Sequence, residues 1–412
     1  MSMSDMRRYI GQWLSALLVL LLTACSSGND ESDGKPMLKI YVFAPDHPIV
    51  TRADNGDVEA TDVEKKINSL HVWVFENHRE PTDPQHNRDG KYVGHISLSN
   101  VDFSETTGNE VMMELDEDFA SNPTKPNVDV YVAANVTAAN CGINLNASTT
   151  RDQLDAMKIG QNYFGVSNLI KTVPTDGLPM SGVMKNKRIT GSKPIYQVTE
   201  ESGQLANVRL VRNVSKIRFV FSKSTTNLDD VSVNSIKFNE GVIPTQEYLF
   251  LDDAYELTTR WKVWGSGDTQ TYEPETTLVS SVAGNDIDDC ESPASYKWDG
   301  VMSGQQYEKL IQKGIDKGDL TDLGTFYLRE SDKKLEGTIT YTLKHTEEQK
   351  NGTEPATENS PSFTMKSDGD FSRNHTWIVY AYFVSSGDLI MGIVEIKNWG
   401  SSENTSQSVY NW

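Results

Sequence analysis

Met37-Leu-Lys-Ile-Tyr-Val-Phe-Ala-Pro-Asp-His-Pro-Ile-Val-Thr-Arg-Ala53 decides how the rest of the chain is read. Its first half alternates as a strand with one buried face does: Leu38, Ile40 and Val42 point one way, Lys39, Tyr41 and Phe43 the other. Pro45 and Pro48 then end the ladder, because neither has a backbone N–H to donate. Thr51-Arg52-Ala53 follows, and after it the polar run Asp54-Asn55-Gly56-Asp57. A basic residue on an exposed polar segment is where a trypsin-like protease cuts. A cut after Arg52 would detach a single strand from everything downstream. The plainer alternative is an ordinary first strand, with Arg52 a loop arginine.

The 412 residues are enough for two domains of ordinary size or one large β domain. Hydrophobic residues make up 37% and aromatics 9%, so cores are possible under a very polar surface. With 38 basic and 58 acidic residues the formal net charge is −20. Such a chain repels nucleic acid and anionic lipid, and no basic cluster offsets this, so no nucleic-acid partner is expected.

Arg7 and Arg8 precede an apolar run, Trp13 to Leu22, that is too short to span a bilayer comfortably and fits a signal peptide over residues 1–24. It ends in Leu22-Thr23-Ala24-Cys25, which resembles the bacterial lipobox, in which a small residue precedes a cysteine that becomes the lipidated N-terminus. The alternative is an ordinary cleaved signal with an incidental cysteine. Ser26 to Gly34 is small, polar and acidic, and residues 25–36 read as lipidated Cys25 with a disordered tether. An acidic tether there also resembles the surface-export signal of Bacteroidia lipoproteins. Cys141 and Cys290 remain, open to one bridge or to two lone buried thiols.

Further on, Leu70, Val72 and Val74 alternate with His71, Trp73 and Phe75, a strand apolar on both faces and hence central. Tyr92–Leu98, Val111–Leu115 and Val128–Ala133 continue the pattern. Thr150 with Gln153 reads as a capping box opening a short helix over Arg151–Lys158, with Leu154 and Met157 on one face. Leu178-Pro179-Met180-Ser181-Gly182 reads as a tight turn, and Pro194 to Val198 as a strand. The polar Glu200-Glu201-Ser202-Gly203 suggests a boundary, after which Val208 to Phe221 is the longest strand-like run. Later strands are expected at Val231–Phe238, Gly324–Arg329, Leu335–Leu343, Thr376–Val384 and Leu389–Lys397. A helix is expected from Ser303 through Lys313, with Tyr307, Leu310 and Ile311 on one stripe. Strands prevail and no βαβ rhythm appears. The expectation is an all-β chain of two antiparallel β-sandwich domains with a few short helices, over residues 37–203 and 204–412.

Motifs for chemistry are scarce. None of the seven histidines sits in a tight metal-ligand spacing, so no metal and no cofactor is expected. There is no Gly-x-Ser-x-Gly elbow, phosphate loop or dinucleotide fingerprint. Asp252-Asp253 and Asp286-Ile287-Asp288-Asp289 lack the spacing of an EF-hand and read as solvated loops. Paired carboxylates of a glycosidase remain open in so acidic a chain, yet no enzyme signature is present. Trp261 and Trp264 could stack on sugar rings, but residues three apart do not share a strand face, and packing is the simpler role.

Taken in order, several segments resemble the fimbrillin family, the FimA/Mfa-like type V pilins of Bacteroidia. They are Leu22–Cys25, the strand before Thr51-Arg52-Ala53, Glu64–Phe75, Val130–Asn135, Leu178–Gly182, Leu210–Ile217, Thr325–Glu330 and Ser372–Trp377, before Trp399. The resemblance implies two transthyretin-like sandwiches and an outer-membrane lipoprotein precursor. It also implies surface proteolysis by an arginine-specific protease between Arg52 and Ala53. That cut would remove the strand carrying Leu38, Ile40 and Val42, and a strand from another pilin subunit would take its place. The family's donor is C-terminal; here the candidate tail offers only Val409, Tyr410 and Trp412 as sizeable apolar groups. A terminal place in the fibre, at tip or base, is therefore a real alternative to the stalk. The expected function is a surface fimbrial subunit in adhesion and biofilm, with host or bacterial surface ligands. The alternative is a non-catalytic surface lipoprotein that binds glycans through Trp261, Trp264 or similar residues.

Overall fold

The structure of the protein, a computed structural model, describes residues 35–44, 62–101, 108–160, 172–227, 229–251, 271–280, 285–331, 333–345, 347–355, 357–359, 362–364, 371, 373–385, 388–396 and 405–411. The strands of the first half are β1 (Met37–Phe43), β2 (Ile67–Glu76), β3 (Tyr92–Val101), β4 (Asn109–Glu114), β5 (Val128–Ala134), β6 (Lys158–Gly160), β7 (Met180–Ser192), β8 (Ile195–Thr199), β9 (Asn207–Arg209) and β10 (Val211–Arg212). All but β6 join one nine-stranded sheet in the order β3-β2-β5-β7-β8-β1-β4, with β10 on β7 and β9 on β1. β7 makes the fold: Met180 to Lys187 pair with β5, and Arg188 to Ser192 pair with β8. The sheet therefore turns over through one strand and lays β8-β1-β4 across β2 and β5. On the far side Asp116 N–H donates to Val93 O (2.7 Å), tying the end of β4 to β3. Between the layers lies a core of Leu38, Ile40, Val42, Leu70, Val72, Val74, Val130, Val132 and their neighbours.

The later strands are β11 (Ser215–Ser224), β12 (Asp230–Phe238), β13 (Gln246–Tyr248), β14 (Thr276–Val279), β15 (Asp289–Cys290), β16 (Thr321–Leu328), β17 (Glu336–Lys344), β18 (Thr357–Asn359), β19 (Ser362–Thr364), β20 (Thr376–Ser385), β21 (Asp388–Ile396) and β22 (Thr405–Asn411). A six-stranded sheet runs β15-β11-β20-β21-β22 with β16 also on β11, and a five-stranded sheet runs β14-β12-β17-β18 with β19 also on β17. Phe219, Phe221, Val233, Ile236, Tyr341, Val379 and Phe383 belong to the core between these two sheets. The fold is an all-β sandwich, as the alternation in the sequence predicts. Most ladders are antiparallel, but β1 runs parallel to β8 and β9, and β11 parallel to β15 and β20.

The helix Gly304–Lys317 forms where Ser303 caps it: the Ser303 hydroxyl accepts from Gln306 N–H (3.3 Å) and Gln306 accepts from Ser303 N–H (2.9 Å). Tyr307 and Ile311 pack against Val220, Ile378 and Tyr380 on the outside of the six-stranded sheet. Thr150 and Gln153 form the expected capping box, but their helix ends at Asp155, because Lys158 already pairs in β6 with Tyr248 of β13. The expected turn at Leu178–Gly182 is instead the start of β7. The chain turns earlier, at Gly177, whose φ of +84° suits only a residue without Cβ. The run Val208–Phe221 is not one strand either: Val208 pairs with Val42, Val211 with Ser181, and the later sheet starts at Ser215. Asn213 breaks it, turned aside to donate from its side chain to Leu249 O (2.7 Å).

Candidate functional site: the slot filled by the first strand

β1 is an interior strand, not an edge. On one side Met37 to Val42 pair antiparallel with Glu114 to Asn109 of β4. On the other, Met37 to Lys39 run parallel to Ile195–Gln197 of β8, and Tyr41 to Phe43 parallel to Asn207–Arg209 of β9. Backbone bonds close both ends: Met37 N–H donates to Pro194 O (2.8 Å), Leu115 N–H to Pro36 O (2.9 Å) and Leu210 N–H to Phe43 O (3.0 Å). Every partner strand lies later in the chain. β1 thus fills a slot lined by polar backbone on two sides, and a cut anywhere between Ala44 and Asp62 severs its link to those partners.

The inward face of the slot is apolar. Leu38, Ile40 and Val42 are each 0% exposed, as their alternation in the sequence predicts. Burying each contributes roughly 1.5–3 kcal/mol, and the ladder bonds add about 1 kcal/mol net apiece, so the strand is held by on the order of 10 kcal/mol before ordering entropy is counted. The outer face is polar and tuned to β4: Lys39 Nζ lies 2.8 Å from Glu110 Oε2, and the Tyr41 hydroxyl donates to the same oxygen (3.2 Å). The Lys39 hydrogen bond holds the Glu110 carboxyl below its usual range and Lys39 above its own. Close packing fixes the walls. A Cβ on Gly182 would sit 2.5 Å from Arg209 O and 2.7 Å from Val208 Cγ1, so β7 and β9 approach only because that carbon is missing. Gly108 has φ +67°, and the Phe43 ring occupies the place of its absent Cβ at 2.8 Å.

At the C-terminal end of β1 the slot opens on a buried polar joint between the earlier and later sheets. The segment that bonds Phe43 O continues into Arg212, whose Nε donates to Glu64 O (3.2 Å). Both ends of the stretch carrying Arg52 are therefore fastened to residues 210–212. Glu64, 1% exposed, also accepts from the Tyr327 hydroxyl (2.6 Å) and faces Lys216 Nζ at 3.1 Å. Arg373 donates to Leu249 O (3.0 Å) and Tyr248 O (2.6 Å) and pairs with Glu330. Arg329 pairs with Glu273 at 2.8 Å. Burial pushes the Glu247 and Glu308 carboxyls above their usual range. Arg212-Asn213, Arg329-Glu330 and Arg373-Asn374, which look like scattered short motifs in the sequence, thus converge on one place and fasten the slot's rim to the later sheets.

The other expected site residues are placed unequally. Cys25, Arg52, Ala53, Trp261, Trp264 and Trp412 lie outside the described residues. Val409 and Tyr410 fall in β22, in register with Gly392 and Met391 of β21. Cys141 and Cys290 are free buried thiols, packed in different clusters. Among the described residues no group of three metal-ligating side chains occurs, but a pair that the sequence hides does: His71 Nδ1 and His95 Nε2 lie 3.4 Å apart across β2 and β3. Only the strand register brings these two together.

Residues 43–237 match the family model of the major fimbrial subunit protein (FimA). Over this span the chain matches the FimA/Mfa-like fimbrial-subunit family. The match begins on the last residue of β1 and runs into β12, so it takes in the walls of the slot and the rim segment around Arg212. The family consists of structural subunits of cell-surface appendages and not of enzymes. Among solved structures the chain is similar to a protein described as a cell adhesion protein from Parabacteroides distasonis, with 14% identity and a TM-score of 0.48 over 92% of this chain and 97% of that one. It is also similar to the tip fimbrial protein Mfa3 of Porphyromonas gingivalis with C-terminal truncation (12%, TM-score 0.41, over 92% and 100%). A third is the fimbrial anchor protein Mfa2 of the same organism (10%, TM-score 0.37, over 90% and 100%). No curated protein matches the chain.

Proposed function

We propose that this chain is a structural subunit of a cell-surface fimbrium, exported as a lipoprotein on Cys25 and made competent for assembly by cleavage after Arg52. The observation that carries the reading is β1 itself: an interior strand with three fully buried aliphatics whose partners all lie downstream. Its removal leaves an apolar trough with unpaired backbone on both sides, the arrangement that an incoming strand satisfies by β-augmentation. Exposed trough and unpaired backbone are both unfavourable in water, so the replacement is long-lived once made. The two halves act as two sandwich domains. The pairing of β9 and β10 with the first sheet favours a joint near Asn213 over one at Gly203.

A place at one end of the fibre suits the chain better than the stalk. Thr405-Ser-Gln-Ser-Val-Tyr-Asn411 has no run of three alternating aliphatics to match Leu38, Ile40 and Val42, and β22 is already paired to β21. The subunit then accepts a strand but donates poorly. Cleavage after Arg52 also removes the lipid, so a processed molecule sits at the tip and an uncleaved one at the base. The test is brief trypsin treatment of the lipid-free precursor, mixed with a stalk-type pilin and run on a non-boiled gel. A new N-terminus at Ala53 together with a stable heterodimer band supports the reading. A cleaved protein that stays monomeric with every pilin offered overturns it.

A further inference from the structure

We propose that His71 and His95 form a two-histidine site for zinc on the outer face of the β2–β3 ladder. In the register of these strands Trp73 faces His95 and His71 faces Ser97, so the two imidazoles are diagonal neighbours on one face. That face is opposite the sandwich core: Val72 and Val74 point inward, whereas Trp73 packs outward with Phe75 and Tyr131. The histidines are half-buried, and both sit on regular strands, which fixes their spacing better than a loop could.

The spacing carries the argument. His71 Nδ1 and His95 Nε2 are 3.4 Å apart, longer than the roughly 2.7–3.2 Å that a hydrogen bond prefers. Two nitrogens at about 2.0–2.1 Å from a tetrahedral zinc ion are themselves about 3.3–3.4 Å apart. The two ring planes are nearly parallel, 12° apart with centroids 5.7 Å apart, and a swing of each ring turns both lone pairs on to one point between them. Ligation leaves each ring's proton on its far nitrogen, so no net charge is lost from the pair. Trp73 stacks on both, at 5.4 Å from His71 and 5.1 Å from His95, and steadies the rings beside the cation position. Two protein ligands leave two tetrahedral positions for water or for a donor from a second molecule.

Calorimetric titration of the full lipid-free precursor with Zn²⁺ tests this. One site is expected, with affinity lowered at least tenfold in His71→Ala and in His95→Ala and unchanged in His47→Ala, each variant first checked for an unaltered melting temperature. Long-range ¹⁵N NMR of the unmutated protein gives an answer that needs no variant: Zn²⁺ should shift His71 Nδ1 and His95 Nε2 ahead of every other imidazole nitrogen. No saturable heat, or zinc shifts confined to other histidines, overturns the proposal.

Discussion

β1 and β22 are the first and last strands described, and they are held in opposite ways. β1 lies inside its sheet, bonded to β4 on one side and to β8 and β9 on the other, with Leu38, Ile40 and Val42 fully buried. Among the described residues β22 lies at the edge of its sheet, paired with β21 alone. An interior strand leaves a trough when it goes, whereas an edge strand leaves only another edge. On the proposed reading the slot of β1 is the end that receives a strand once the chain is cut, and β22, held on one side by β21, is the end with less to hold it.

The sharpest way to break the contrast is to put a charge in the slot. Ile40→Asp places an unpaired carboxylate among aliphatic side chains and should destabilise the precursor by more than about 4 kcal/mol; chemical denaturation would show it, and a cost under about 1 kcal/mol would mean the slot is wet. The walls come next. Gly182→Val forces β7 from β9 and should cost about 1–3 kcal/mol, with trypsin then releasing the N-terminal fragment that ends at Arg52 faster than in the unmutated protein. At the joint, Glu247→Gln should act through pH. Burial raises this carboxyl from 4.5 to about 8 in the folded state, so the folded protein holds a proton that the unfolded chain releases in that window, and stability falls as pH rises through it. The variant should match the unmutated protein below pH 4.5 and exceed it by on the order of 1 kcal/mol above pH 8, measured by thermal unfolding at each pH. Smallest of all, deletion of residues 405–412 should cost no more than about 1 kcal/mol, since edge ladder bonds are nearly offset by the entropy of an ordered strand.

Much of this was legible in the sequence wherever one residue's neighbours along the chain decide its state. The alternation of Leu38, Ile40 and Val42, the two-faced run at Leu70–Phe75, the capping pair at Thr150 and the helix opening at Ser303 are local patterns, and the structure follows them. What misled were places where a distant contact overrides the local pattern. Pro179 reads as a turn, yet its carbonyl takes the Asn213 N–H (2.8 Å) at the start of β7. The run through Val208–Phe221 has strand composition throughout, yet three different partners divide it. The interior position of β1 was not legible either, because parallel neighbours more than a hundred residues away leave no mark on the strand itself. Nor was the His71–His95 pair, which exists only in one register of two strands.

The most direct measurement of the central claim is replacement of β1 in trans. The lipid-free precursor is cleaved with an arginine-specific protease, which leaves the arginine-free probe intact, in the presence of excess fluorescent peptide spanning Lys35–Ala44, then run without boiling. Label should remain with the cleaved protein, and a peptide with Leu38, Ile40 and Val42 all changed to serine should leave it dark. Equal retention of both peptides, or of neither, would show that no strand-shaped vacancy opens behind Arg52.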